Sequence, residues 1–185
     1  MSSAIVIVYH SGYGHTTKVV EAVAATSGAQ LLAIDAEGKL PEGGWEALVA
    51  AKIIVFGAPT YMGMANWQFK RFADASSKPW LAGLWTDKLA AGFTNSAAMN
   101  GDKHSTLHYF MTPTMQHNML WLSIGMMSSN SKAASRDDIN YLGSFARLMT
   151  TLPSDASINE MVPGDMATAK KFGERLVTTL TKFGG

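Results

Sequence analysis

Cysteine is absent from this chain of 185 residues. Its absence excludes disulfides, thiolate nucleophiles and iron or zinc sites built on cysteine, and it gives no sign of an oxidising compartment. An excess of charge is missing too: 15 Lys and Arg stand against 14 Asp and Glu, for a net charge of +1. Neither nucleic acid nor an acidic membrane surface is favoured as a partner by such a balance. No apolar run approaches the roughly 20 residues that span a bilayer. The N-terminus has no basic start and only a short apolar stretch, unlike a secretory signal, so a cytoplasmic protein is expected. There is no Gly-x-Ser-x-Gly nucleophile turn and no Gly-Lys-Ser/Thr of a Walker loop. Internal repeats, linkers and low-complexity tracts are also lacking, and a single domain over residues 1–185 is expected.

What is present is apolar. Hydrophobic residues make up 47% and charged residues 16%, which fits a large interior or an extensive contact between subunits. Apolar, β-rich runs recur at Ala4–Tyr9, Leu31–Ile34, Lys52–Phe56, Leu89–Thr94 and Leu120–Ile124. Helical patterns alternate with them at about Thr17–Ser27, Trp45–Ala50, Asn66–Ala75 and Lys103–Met115. A last helix spans Asp165–Lys182, with Asp165 as N-cap and Gly184 as stop. Strict alternation predicts an α/β fold, a parallel sheet covered by helices on both faces. The rhythm fits a flavodoxin-like three-layer sandwich with five strands in the order 2-1-3-4-5. Pro113 predicts a late start, a kink or a restart in the fourth helix. Residues 125–164 lack a long periodic element, so an insertion in or after strand 5 is expected, with Ser144–Met149 a candidate return to the sheet.

In such sheets ligands bind beyond the carboxyl ends of the strands, at the switch point beside strand 1. There the chain reads Ser11-Gly12-Tyr13-Gly14-His15-Thr16-Thr17 and opens straight into a helix. Unpaired amides at a helix entry hold a phosphate without Lys or Arg. Gly12-x-Gly14-x-x-Thr17 falls one residue short of the dinucleotide fingerprint, because Thr17 is bulkier than the third glycine or alanine; a mononucleotide phosphate fits better. The loop after strand 3, Gly57-Ala58-Pro59-Thr60-Tyr61-Met62-Gly63, offers backbone and a ring to a flat heterocycle. The loop after strand 4, Thr94-Asn95-Ser96-Ala97-Ala98-Met99-Asn100-Gly101, is suited to backbone contacts with a polar edge, or to a solvated connection. His104 and His108 are four apart, but no acidic or cysteine partner is near them in sequence.

Taken together, Ser11-Gly12-Tyr13-Gly14-His15, Gly57-Ala58-Pro59-Thr60-Tyr61-Met62-Gly63 and Trp80…Lys88-Leu89-Ala90 resemble the flavodoxin superfamily, and within it the WrbA-like NAD(P)H:quinone oxidoreductases. The resemblance implies FMN as cofactor. It places the phosphate in Ser11, Gly12, Tyr13, Gly14, His15 and Thr16, and the ring against Pro59, Thr60, Tyr61 and Met62. Asn95, Ser96, Ala97, Asn100 and Gly101 would meet the ring's far edge. His117 would reach the flavin and is the candidate catalytic residue, orienting the ring or quinone and delivering a proton. Trp80 would border the substrate, and Tyr13 would contact the nicotinamide donor. The resemblance further implies a homotetramer in which a neighbour helps roof the flavin. This chain departs from the family where the third loop lacks its glycines and where Asn118 follows the matching histidine. The implied activity is two-electron transfer from NAD(P)H to a quinone by a ping-pong cycle; the alternatives are a flavodoxin-type electron carrier and a nucleotide-holding module without turnover.

Overall fold

The β-branched run near the N-terminus forms β1 (Ile5–Tyr9), and its side chains divide by alternation between two cores. Val6 and Val8 join Phe56, Phe69, Phe72, Trp85 and Phe110 on one side. Ile5 and Ile7 join Val19, Val23, Phe93 and Phe172 on the other. A strand apolar on both faces requires a helical layer over each, and the chain supplies both. The structure, a computed structural model, describes residues 3–183.

After β1 come α1 (His15–Ser27), β2 (Gln30–Ala33), α2 (Gly44–Ala50) and β3 (Ile53–Tyr61). Then follow β4 (Met64–Ala65), α3 (Trp67–Ala75), α4 (Ser77–Leu81), β5 (Leu89–Ser96) and α5 (Lys103–Gln116). The chain ends with β6 (Leu120–Trp121), β7 (Leu148–Thr151), a 3-10 turn at Ile158–Glu160 and α6 (Pro163–Phe183). The parallel sheet runs β2-β1-β3-β5-β6, the expected order. Its fifth position is shared: β6 pairs with Leu89 and Ala90 of β5, while β7 pairs with Phe93 to Ser96. The insertion therefore interrupts the fifth strand, and the return falls at Leu148–Thr151, a few residues later than the expected Ser144–Met149. α1 and α6 cover one face; α2, α3 and α5 cover the other.

Other expectations need correcting. β3 is longer than its apolar run because Pro59 can stay in the strand: β1 pairs only as far as Gly57, so no partner requires a proline N–H. The strand then folds back through Met62-Gly63 onto β4, an antiparallel hairpin absent from the sequence reading. Both turn residues have positive φ, 49° and 82°, as a type I′ turn demands. Pro113 neither delays nor restarts α5, which runs from Lys103 to Gln116; the proline removes only the one amide that would have bonded the Tyr109 carbonyl. Asp165 is not an N-cap. The helix begins at Pro163, a residue suited to a first turn, and the buried Asp165 carboxylate accepts from the Thr151 amide at 2.8 Å and Arg136 Nη2 at 2.9 Å. Gly184, the expected stop, lies outside the described residues.

Candidate functional site

The carboxyl ends of β1, β3, β5 and β7 share one edge of the sheet, and the loops that leave them form the site. At β1 the turn into α1 is capped by Gly14, with φ 88° and no side-chain cap. Ser11 Oγ accepts from the amides of Gly14 at 3.1 Å and Thr17 at 3.3 Å, which leaves its own hydroxyl proton free to donate. Among the described residues the amides of Gly12, Tyr13, His15 and Thr16 have no hydrogen-bond partner. A short loop with open amides at a helix entry is an anion cradle. Gly14 is needed in it for conformation, and Gly12 leaves room for the second loop: a Cβ on Gly12 would stand 2.5 Å from Tyr61 Oη, so the tyrosine would have to move.

That contact shows how the second loop leans on the first. The Tyr61 ring meets Tyr13 edge-on at 6.1 Å, and burial raises the pKa of its phenol. Thr60 turns its hydroxyl inward, 2.8 Å from both Thr94 Oγ1 and Thr106 Oγ1, so only its backbone is left for a ligand. The three loops enclose a cavity of about 250 Å³ lined by Tyr13, His15, Thr16, Pro59, Thr60, Tyr61, Asn95 and Ala97. Met62 projects freely at the hairpin tip beside it. From the β1 loop to the β5 loop the sheet advances two strands, roughly 10 Å. The site is thus elongated, with amides at one end and an aromatic wall along its course. Those are the features an FMN phosphate and ring require, and the residues present fit that group.

Two lining residues, Leu152 and Ser154, were missed by sequence reasoning. They follow β7, inside the stretch that showed no periodicity. The His15 side chain holds this segment while its amide stays in the cradle: its Nε2 lies 3.1 Å from the Ala156 carbonyl. Ser96, Asn100 and Gly101 do not line the cavity. Ser96 Oγ faces a buried lysine, Lys103, whose Nζ donates to it at 2.8 Å. Nothing in a lone lysine at the start of a helical pattern marks it as buried.

His117 and Trp80, expected at the flavin and the substrate, do not line this cavity within the chain. α5 has 14 residues, about 21 Å, and runs back along the sheet. His117 closes it at the opposite edge, where the Asn118 carbonyl accepts from Asp87 just before β5 begins. There it shares a small cavity of about 180 Å³ with Trp80, Ser76 and Gln116. Its ring stacks on Trp85 at 4.2 Å, and burial pushes its pKa down to about 4. The His104 and His108 rings lie 6.4 Å apart, and among the described residues no group of three or more metal-ligating side chains forms. No helix of the described residues is long and apolar enough to cross a membrane.

Known proteins agree with this geometry. Residues 6–123 match the Flavodoxin domain family. Flavodoxin FldP of Pseudomonas aeruginosa is 47% identical over 174 residues, covering 94% of this chain and 95% of that protein. An NAD(P)H dehydrogenase (quinone) of Trichlorobacter lovleyi is 27% identical over 162 residues, covering 75% of this chain and 78% of that one. The crystal structure of a WrbA-like flavodoxin from Agrobacterium tumefaciens is 46% identical, with a TM-score of 0.80 over 97% of this chain and 98% of that chain. The chain belongs to the flavodoxin superfamily, with WrbA-like character, and FMN is its cofactor.

Proposed function

We propose that this protein is an FMN-dependent reductase that passes two electrons from NAD(P)H to a quinone, the two substrates using one opening in turn. The carrying observation is the mouth of the cavity. Tyr13 is 71% exposed and Met62 stands free beside it, so the rim presents flat and apolar surface where a nicotinamide or quinone ring can stack. Bound in this cavity, FMN would supply the redox chemistry. The amides of Gly12 to Thr16 and the Ser11 hydroxyl would hold its phosphate, and Tyr61 and the Pro59–Thr60 backbone would flank its ring. A net charge of +1 lacks the acidic bias that carriers use to dock on their reductases. Several relatives at 24–29% identity bear the name NAD(P)H dehydrogenase (quinone).

We place Trp80 and the neutral His117 over the opening of a neighbouring copy, in a cytoplasmic homotetramer, where they would border and orient the quinone. The exposed Trp67, Trp80, Leu81 and Leu84 supply apolar surface for that assembly. A second reading, a one-electron carrier, is favoured by the 47% identical relative named as a flavodoxin. Steady-state assays on FMN-reconstituted protein separate the two. NAD(P)H oxidation driven by benzoquinone, with parallel double-reciprocal lines, is expected for the reductase. Flavin reduction that needs an added protein reductase establishes the carrier and overturns the proposal.

A further inference from the structure

We infer that Lys103 is a positioning residue for the flavin: from beneath the third loop its ammonium draws the loop's carbonyls inward and holds the loop against the end of β7, the two segments that wall the cofactor's cavity. The inference rests on FMN filling the cavity and not on which donor or acceptor it serves.

Lys103 is 1% exposed, at the first residue of α5. The position is unfavourable twice over, since burial strips an ammonium of water and a helix N-terminus repels positive charge. What offsets this is a cage of oxygens. Nζ donates to Ser96 Oγ at 2.8 Å, Ala98 O at 2.9 Å, Met99 O at 2.8 Å and Thr151 Oγ1 at 2.9 Å. Every acceptor belongs to a segment that walls the cavity: the loop carrying Asn95 and Ala97, or the end of β7 that leads to Leu152 and Ser154. The Leu152 amide donates to the Ser96 carbonyl at 3.2 Å, tying the two walls to each other around the lysine. A planar trans peptide points its C=O and N–H in opposite directions. With the Ala98 and Met99 carbonyls fixed on Nζ, the amides of Met99 and Asn100 must face away from it. A local arrangement this costly, placed where two ligand-facing segments meet, is what a functional constraint looks like.

The charged groups facing Lys103 are Asp165 on α6, which favours its ammonium, and Arg136 in the insertion, which opposes it. Burial dominates and pulls its pKa down to about 8. As pH rises through that value, three donors shared by four acceptors become two, and the loop loses its anchor. Flavin affinity should therefore fall above pH 8. The effect on folding has the opposite sign. An unfolded lysine keeps its proton to about 10.4, so between these values the unfolded chain binds more protons and the flavin-free protein gains stability from this group. General alkaline unfolding lowers both quantities and cannot imitate the pattern.

The test is fluorescence titration of the protein with FMN and with riboflavin, which has the ring but no phosphate, from pH 7 to 9. Wild type should lose roughly tenfold in affinity for both over that range. Lys103→Met, which keeps the length of the side chain but none of its donors, should bind both flavins at least tenfold more weakly at pH 7. It should leave the FMN-to-riboflavin ratio unchanged and show a flat pH profile. Lys103→Arg, charged at every pH used, should bind more tightly than Lys103→Met and also show a flat profile. A Lys103→Met protein that matches wild type within twofold, or that loses FMN affinity alone, overturns the inference. Should that variant not fold, a flat wild-type profile overturns it equally. Wild type that binds neither flavin overturns the FMN reading itself, an outcome distinct from the others.

Discussion

Removing His117 should flatten the acid limb of the stability curve. Ser76 Oγ donates to the Ala73 carbonyl at 2.7 Å, so at 2.9 Å it must accept from His117 Nε2–H. That bond fixes the tautomer and leaves Nδ1 as a bare, buried lone pair with no partner among the described residues. A second proton would have to sit there, against the Trp85 ring and away from water, and burial holds the pKa near 4. In the unfolded chain the same imidazole titrates near 6.5. Between those values the unfolded state binds the extra proton and the folded state does not. Stability is therefore complete above pH 6.5 and drains away as pH falls toward 4. A displacement of about 2.5 units corresponds to about 3 kcal/mol at the lower end. Asp165, whose pKa burial raises, works in the opposite direction, so the histidine must be isolated by difference. Urea unfolding of wild type and His117→Gln from pH 7.5 to 4.5 provides that difference. The gap between the two should change by about 2–3 kcal/mol in favour of the variant as pH falls. Parallel curves would refute the assignment of a neutral, partner-starved imidazole, and with it the claim that His117 is no proton donor within its own chain.

Two core substitutions follow from the packing. In Gly57→Ala the new methyl would stand 2.3 Å from Phe93 Cζ on the adjacent strand, its direct partner in register, so a loss of about 1–3 kcal/mol in urea unfolding is expected. Phe93→Leu in the same protein should restore part of it. Arg147 is wholly buried, with one bond to the Ala90 carbonyl at 3.3 Å and its guanidinium 3.9 Å over Trp121, while Nε and Nη1 have no partner among the described residues. Arg147→Met removes an uncompensated charge while keeping volume, and should raise the urea midpoint by an amount equivalent to about 1–3 kcal/mol with the slope unchanged. A lowered midpoint would show that the stacking on Trp121 outweighs desolvation.

These particulars explain which parts of the site could be read from the sequence. The β1 loop was legible because its chemistry is local: a buried strand, small residues and a helix entry are adjacent in the chain, and their spacing alone creates the cradle. The order of the sheet was legible for a related reason, since alternating strands and helices leave few right-handed ways to pack. What could not be read depends on length or on long-range burial. His117 matches a family position in sequence, yet 14 residues of helix carry it to the far edge of the sheet. Leu152 and Ser154 belong to the cavity only because β7 re-enters the sheet beside β5, after an insertion with no periodic signal. Lys103 is the sharpest case: a lysine at a helix start reads as solvent-exposed, and only the convergence of Ser96, Ala98, Met99 and Thr151 makes it interior.

That convergence also bears on why an insertion can interrupt the fifth strand without opening the site. β7 pairs with β5 over only four residues, too short a ladder to locate a returning chain by itself. Its end is pinned from two sides. The Thr151 amide donates to Asp165, which in turn pairs with Arg136 from within the insertion, and the Thr151 hydroxyl accepts from Lys103. The insertion, α6 and the third loop therefore meet at one residue. A perturbation at Arg136, outside the cavity, would act on the cavity through Asp165 and Thr151. The charges of this region hold the returning strand in the register that brings Leu152 and Ser154 to the cavity wall.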